Sequence, residues 1–188
     1  MDGYHLALFI HLLALMAAVA ASALVHLADA RRARAATPRD ALAWHALAGS
    51  AARTFPIALL LLAATGAVMV ETSEGLEWAA GWVATGLLGV VALLASGGVI
   101  AVRSRREARE LARLAASDSA RGAPPPDAVV ETLSWVNTGL AVAVILVMST
   151  KPPLVESLVA LAVGAAGGLV LGLTMRGDVA TPQAVQER

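Results

Sequence analysis

Along the chain, long uncharged apolar runs alternate with short polar stretches rich in arginine. About 20 apolar residues cross a hydrocarbon core, and five runs meet that length: residues 4–28, 54–70, 79–102, 132–150 and 154–175. The second, Phe55 to Val70, is short. It can extend backward through the alanine-rich stretch 41–53, which holds no strong breaker except Gly49, so its helix starts at 41 or at 54. Pro56 then either kinks the longer helix or sits in the first turn of the shorter one. Residues 103–117 read as a basic amphipathic continuation of the third span, with Leu111 and Leu114 on one side. Ser117 to Asp127, with Gly122 and three consecutive prolines, ends that helix and reverses the chain. The polar stretch from Gly177, with Thr181-Pro182, predicts disorder. The pattern predicts an all-α, polytopic membrane helical bundle, with one transmembrane domain over 1–176 and a disordered cytoplasmic tail over 177–188.

Charge orients this bundle. Five arginines lie in 31–53, six in 103–121 and two after Met175, leaving Lys151 as the only basic residue on the other side. The positive-inside rule then predicts an N-terminus outside and a C-terminus in the cytoplasm. Asp2, Glu71, Glu74 and Glu77 fall on the opposite side, with Tyr4, Trp78 and Trp82 at the outer interface and Trp44 and Trp135 at the inner one. No basic segment precedes the first apolar run, and Arg31, Arg32 and Arg34 follow it, so it reads as a retained helix and not a cleaved signal. Composition agrees: 58% of residues are hydrophobic and 15% charged, against roughly 25% charged in soluble domains. The alanine, glycine and arginine bias suggests a bacterial inner-membrane protein. The formal net charge is zero, which gives no field to attract nucleic acid. With no cysteine, thiol chemistry, Cys-ligated zinc and iron–sulfur clusters are excluded.

Lipid offers no hydrophobic drive between helices, so small and polar residues decide where backbones meet. Gly164, Gly168 and Gly172 form one glycine face on the fifth span. That face suits contact with a second copy or partner subunit, or close packing within one chain, and the second use is the favoured one. Asn137 and Thr138 are expected to hydrogen-bond to a neighbouring helix, and Thr65 and Ser96 to their own helices. Glu156 falls in the first turn of the fifth span, with Lys151 near enough in sequence to pair with it.

Candidate chemistry rests on histidines, because polar groups inside a membrane are costly and often functional. His11 and His26 on the first span are separated by about 60° around the helix and about 22 Å along it. Ala14, Ala18 and Ser22 lie between them, a small-residue stripe that would let a porphyrin approach. His26 near the end of the first span and His45 at the start of the second form the one pair placed to ligate a b-type haem axially. For the outer His11 no facing histidine exists, and Met69 or Met148 would complete a His/Met site. His5 lies about 120° from His11 on the same helix and cannot be its opposite axial ligand. His5, His11, Met69 and Met148 also suit Cu(I). The plainer use of each histidine is a single hydrogen bond near the interface, and of each methionine packing bulk.

Phe9-Ile10-His11-Leu12-Leu13, Arg53-Thr54-Phe55-Pro56 leading to Thr65-Gly66, and Met148-Ser149-Thr150-Lys151-Pro152 resemble a group of small bacterial integral membrane proteins related to the CopD-like copper-resistance family. The resemblance runs over residues 5–152 in scattered short motifs. It implies a helical bundle whose first-helix histidine, here His11, touches haem or copper. The Trp-Gly stretch usual after that histidine is replaced by alanines from Ala17 to Ala21.

No catalytic triad, phosphate loop or metalloprotease motif occurs, so the chain is at most an electron-transfer subunit of an oxidoreductase. Two functions stay open. One is a b-type haem-binding subunit passing electrons between a quinone or partner protein and a redox enzyme. The other is a copper-handling permease, or a non-redox accessory subunit of a larger membrane complex.

Overall fold

The computed structural model describes residues 2–72, 77–117 and 123–177. Among them it has six helices and no strand: α1 Gly3–Ala33, α2 Pro38–Ala52, α3 Thr54–Thr72, α4 Gly81–Ala116, α5 Ala128–Thr150 and α6 Leu154–Gly177. Five spans are long and apolar enough to cross a membrane, with α2 and α3 counted as one. The chain is thus a multi-pass membrane protein in a lipid bilayer. The tail expected to be disordered falls, from residue 178 on, outside the described residues.

Local sequence sets the helix ends. Asp2 accepts from the His5 N–H and caps α1. Its carboxyl is held below the ordinary range by that backbone N–H and by the His5 ring. Thr37 caps α2 through the Asp40 N–H, with Pro38 in the first turn, where a missing N–H costs nothing. The two candidate starts of the second span are both real. α2 ends at Ala52 and α3 starts at Thr54, with Arg53 between them still right-handed at φ −65°, ψ −18°. Pro56 explains the break: it cannot donate to the Ala52 carbonyl and its ring crowds that oxygen. Gly49 leaves the helix intact. At the other end Lys151 adopts a left-handed conformation (φ 50°), and Pro152-Pro153 prevent α5 from continuing. Lys151 does not pair with Glu156; its ammonium sits 5.3 Å over the Trp82 ring.

α1, the α2–α3 rod and α4 are 31, 35 and 36 residues long, or about 46–54 Å at 1.5 Å per residue. They exceed a ~30 Å core, and the excess lies at the arginine-rich end. There the end of α1, α2 and the end of α4 form a three-helix extension around Ala28, Ala41, Ala48 and Leu111, the last only 1% exposed. Packing divides the bundle in two. α1 packs along α2 and α3, while α5 packs along α6 and α4; the halves meet mainly where α2 lies on α4.

The first half is joined by alanine. Ala7, Ala14, Ala21 and Ala28 of α1 are buried, as are Ala41, Ala48 and Ala58 of the α2–α3 rod. A seven-residue spacing keeps one face turned to the partner along a left-handed crossing. Methyl-sized side chains bring the backbones close. Of the small-residue stripe Ala14, Ala18 and Ser22 between His11 and His26, Ala14 is spent on this helix packing. The second half is joined by glycine. Gly164, Gly168 and Gly172 lie against Gly139, Trp135 and Thr132 of α5 in the same chain, so this glycine face is occupied internally and is not free for a second copy or partner.

Asp127 caps α5 by accepting from Val129 and Val130 and also pairs with Arg103 at 3.0 Å. Desolvation alone would raise its carboxyl, but the Arg103 guanidinium and the two backbone N–H groups outweigh it and hold the carboxyl below the usual carboxylate range. A depressed folded-state value means that the stabilisation is present above the unfolded value of about 4 and is lost as pH falls through the lower folded value. Asp127→Ala is expected to cost about 0.5–2 kcal/mol. Asp127→Asn should keep most of the cap and remove this group's contribution to acid sensitivity. Unfolding midpoints of the three proteins between neutral and acid pH check this; parallel pH curves would contradict it.

Candidate functional site

Three embedded histidines tie helices together. His11 Nδ1 lies 2.9 Å from Thr65 Oγ1 of α3, His26 Nε2 2.8 Å from Thr138 Oγ1 of α5, and His45 Nε2 3.0 Å from the Ser104 carbonyl of α4. The proton positions follow from the partners. Thr65 already donates to the Leu61 carbonyl at 2.6 Å and Thr138 to the Ser134 carbonyl at 3.1 Å. A hydroxyl has one proton, and a carbonyl only accepts. Each ring therefore donates, through Nδ1–H in His11 and Nε2–H in His26 and His45.

Two of these bonds cross between the halves of the bundle. His26 is also stacked on Trp135, with ring centroids 4.1 Å apart and planes at 25°, and Ser22 reaches the same Thr138 hydroxyl at 3.3 Å. Nearby, Ser96 of α4 meets Asn137 of α5 at 2.6 Å. As expected from sequence, Asn137 and Thr138 bond across helices, and Thr65 and Ser96 also bond their own turns. Replacing Thr138 by the near-isosteric valine leaves the His26 N–H without its acceptor. An intramembrane hydrogen bond of this kind averages about 0.6 kcal/mol and reaches about 1.7. The His26–Trp135 stack should loosen with it. A double-mutant cycle with His26→Phe, read by unfolding in detergent, is expected to give a coupling of that size; zero coupling would mean the bond contributes nothing.

The sequence-predicted haem pair is not assembled in this arrangement. His26 points to α5 and His45 to α4, each through the nitrogen it donates with. They do not face each other across a gap, because α1 lies directly on α2 through Ala28, Ala41 and Ala48. The proposed copper set is also held in separate contacts. His5 pairs with Asp2 at the exposed end of α1, and His11 is bound to Thr65. Met148 fills a notch over Gly86 of α4. Met69 lies one turn beyond Thr65 on α3. Among the described residues no three His, Asp or Glu side chains converge as a metal site.

Sequence reasoning missed a second polar centre, at the arginine-rich end. Arg32 of α1 is only 5% exposed. It forms a two-pronged pair with Glu107 of α4, at 3.0 and 3.2 Å. Glu107 also accepts from the Asp127 N–H, so one carboxylate holds α1, α4 and the start of α5. Asp29, Arg32, Asp127 and Glu131 line a small cleft beside it. His45 lies next to this pair, 8% exposed. The Nδ1 of His45 and the Nε of Arg32 are the buried side-chain polar atoms without a hydrogen-bond partner among the described residues. One is a bare acceptor, the other a donor. No sequence signal links Arg32 to Glu107 across 75 positions; the positive-inside pattern accounted for Arg32 as an ordinary surface charge.

Comparison of the chain with family models, with curated proteins and with solved structures returned no match.

Proposed function

We propose that this chain is a non-redox accessory subunit of a larger membrane complex, seated in the bacterial inner membrane with its arginine-rich end in the cytoplasm. One observation carries the reading: His11, His26 and His45 each use a ring N–H to fasten one helix to another, two of them across the two halves of the bundle. Polar groups used this way specify helix arrangement. The Arg32–Glu107 pair does the same at the arginine-rich end, where one carboxylate holds α1, α4 and the start of α5. Such a scaffold suits binding in the membrane plane. The orientation rests on the arginine asymmetry.

The alternative, a b-type haem subunit transferring electrons from a quinone or redox partner, or a copper-handling protein as the CopD-like resemblance implies, has one supporting observation. The Nδ1 of His45 is buried with no hydrogen-bond partner among the described residues, and an unoccupied imidazole nitrogen is the form in which histidine binds a metal. The experiment purifies the protein in mild detergent from cells replete in haem and copper. It records oxidised and dithionite-reduced spectra, the metal content, and the proteins that co-purify in fixed ratio. The accessory reading expects a colourless, metal-free protein with a stoichiometric partner. A Soret band lost in His26→Ala or His45→Ala, or bound copper lost in His11→Ala, would replace it.

A further inference from the structure

The basic extension of α4 was expected from sequence to be amphipathic, and the structure places its two faces. Ser104, Glu107 and Leu111 face inward, bound to His45, bound to Arg32 and fully buried, in that order. At 100° per residue the opposite face carries Arg105, Arg109 and Arg113, one per turn, with Arg106 beside them. All four are exposed, and none makes an ion pair or hydrogen bond with a described residue. Glu110 borders this stripe. Like charges four residues apart weaken a helix, so the alignment carries a cost that a purely topogenic role, which depends only on arginine number, does not require.

We infer that the Arg105–Arg109–Arg113 stripe is a docking surface for an acidic helical segment of a partner protein. This rests on the accessory-subunit reading and names the partner's chemistry. Guanidinium groups bind carboxylates through two parallel hydrogen bonds. Carboxylates spaced four residues apart on a helix repeat every ~6 Å, the same rise as the arginines. Lipid headgroups fit less well. About 20 residues from Gly81 exhaust the hydrocarbon core, which puts Arg105, Arg109 and Arg113 about 6, 12 and 18 Å beyond it. The headgroup layer is only about 5–8 Å deep on each side, within reach of the first turn alone.

The test uses the full chain in phosphatidylcholine nanodiscs and, as probe, a fluorescent helix-forming peptide with three glutamates spaced four residues apart on one face. The triple variant Arg105→Gln, Arg109→Gln, Arg113→Gln should weaken binding by about tenfold, the sum expected of three exposed charge pairs. The control triple Arg31→Gln, Arg34→Gln, Arg39→Gln, of equal net charge, should change it by less than about twofold. Equal weakening in both, or no binding, overturns the inference. So does native mass spectrometry from phosphatidylglycerol-containing nanodiscs in which the stripe variant, unlike the control, loses bound lipid. Co-purification separates the two levels. A stoichiometric partner retained by the stripe variant sinks the stripe and leaves the accessory reading standing, whereas absence of any partner from wild-type protein sinks that reading itself.

Discussion

Truncating Glu107 to alanine is expected to destabilise the bundle by about 3–5 kcal/mol, the cost of leaving a buried charge without its partner. Arg32, 5% exposed, would lose both of its hydrogen bonds to Glu107, at 3.0 and 3.2 Å. The Asp127 N–H at the start of α5 would lose its acceptor as well. The loss falls at one point on three elements, so the three-helix extension should loosen as a unit. Unfolding midpoints in detergent measure the stability, and hydrogen exchange over residues 25–52 and 104–117 locates the loosening. The double variant Arg32→Met, Glu107→Leu should recover most of the stability, because apolar residues of similar volume often replace a buried ion pair at little cost. A loss below about 1 kcal/mol for Glu107→Ala would place the pair among solvent-screened contacts and remove it as an organising centre.

The second large effect is expected at the α5–α6 contact. A methyl group on Gly139 would lie 2.0 Å from the Gly164 carbonyl oxygen, and one on Gly168 2.3 Å from the Trp135 carbonyl oxygen. Both obstacles are backbone, so neither can rotate aside as the Met148 side chain over Gly86 can. Gly139→Ala or Gly168→Ala is expected to cost about 1–3 kcal/mol, and a larger residue more, because the helices must separate along their length. Gly168 touches the residue whose ring stacks on His26, so its substitution should also shift Trp135 fluorescence. Gly97→Ala and Gly167→Ala are the controls: a methyl there meets nothing within 4 Å, and stability should hold or rise by up to ~1 kcal/mol. If all four variants behaved alike, the close backbone approach would not be what holds α5 to α6.

Much of the architecture was legible beforehand because membrane insertion is decided by local composition. The number of spans, the α4 extension past Arg103 and the break before Asp127 follow from run length, hydropathy and proline, which act over a few residues. Sequence also marked Asn137 and Thr138 as cross-helix donors or acceptors, since an amide or hydroxyl in lipid must find a partner. It could not settle the start of the second span, because Pro56 permits either a kink or a new helix. Tertiary contact with α1 and α4 stabilises both segments, so both form.

The candidate site was legible only as a set of residue types. His11, His26 and His45 were picked out because they are polar groups in or beside apolar spans, and that is what sequence by itself determines: how deep each residue lies, and that burying it is costly. Which helix each ring faces depends on how α1 rotates. The alanines at 7, 14, 21 and 28 set that rotation by turning one face to α2 and α3, which aims His26 at Thr138 and His11 at Thr65. The seven-residue spacing was present in the sequence, but alanine is so common in this chain that the repeat did not stand out. The Arg32–Glu107 pair joins residues 75 positions apart. It exists because α2 lies on α4 and carries α1 with it, a packing outcome that no local run of residues encodes.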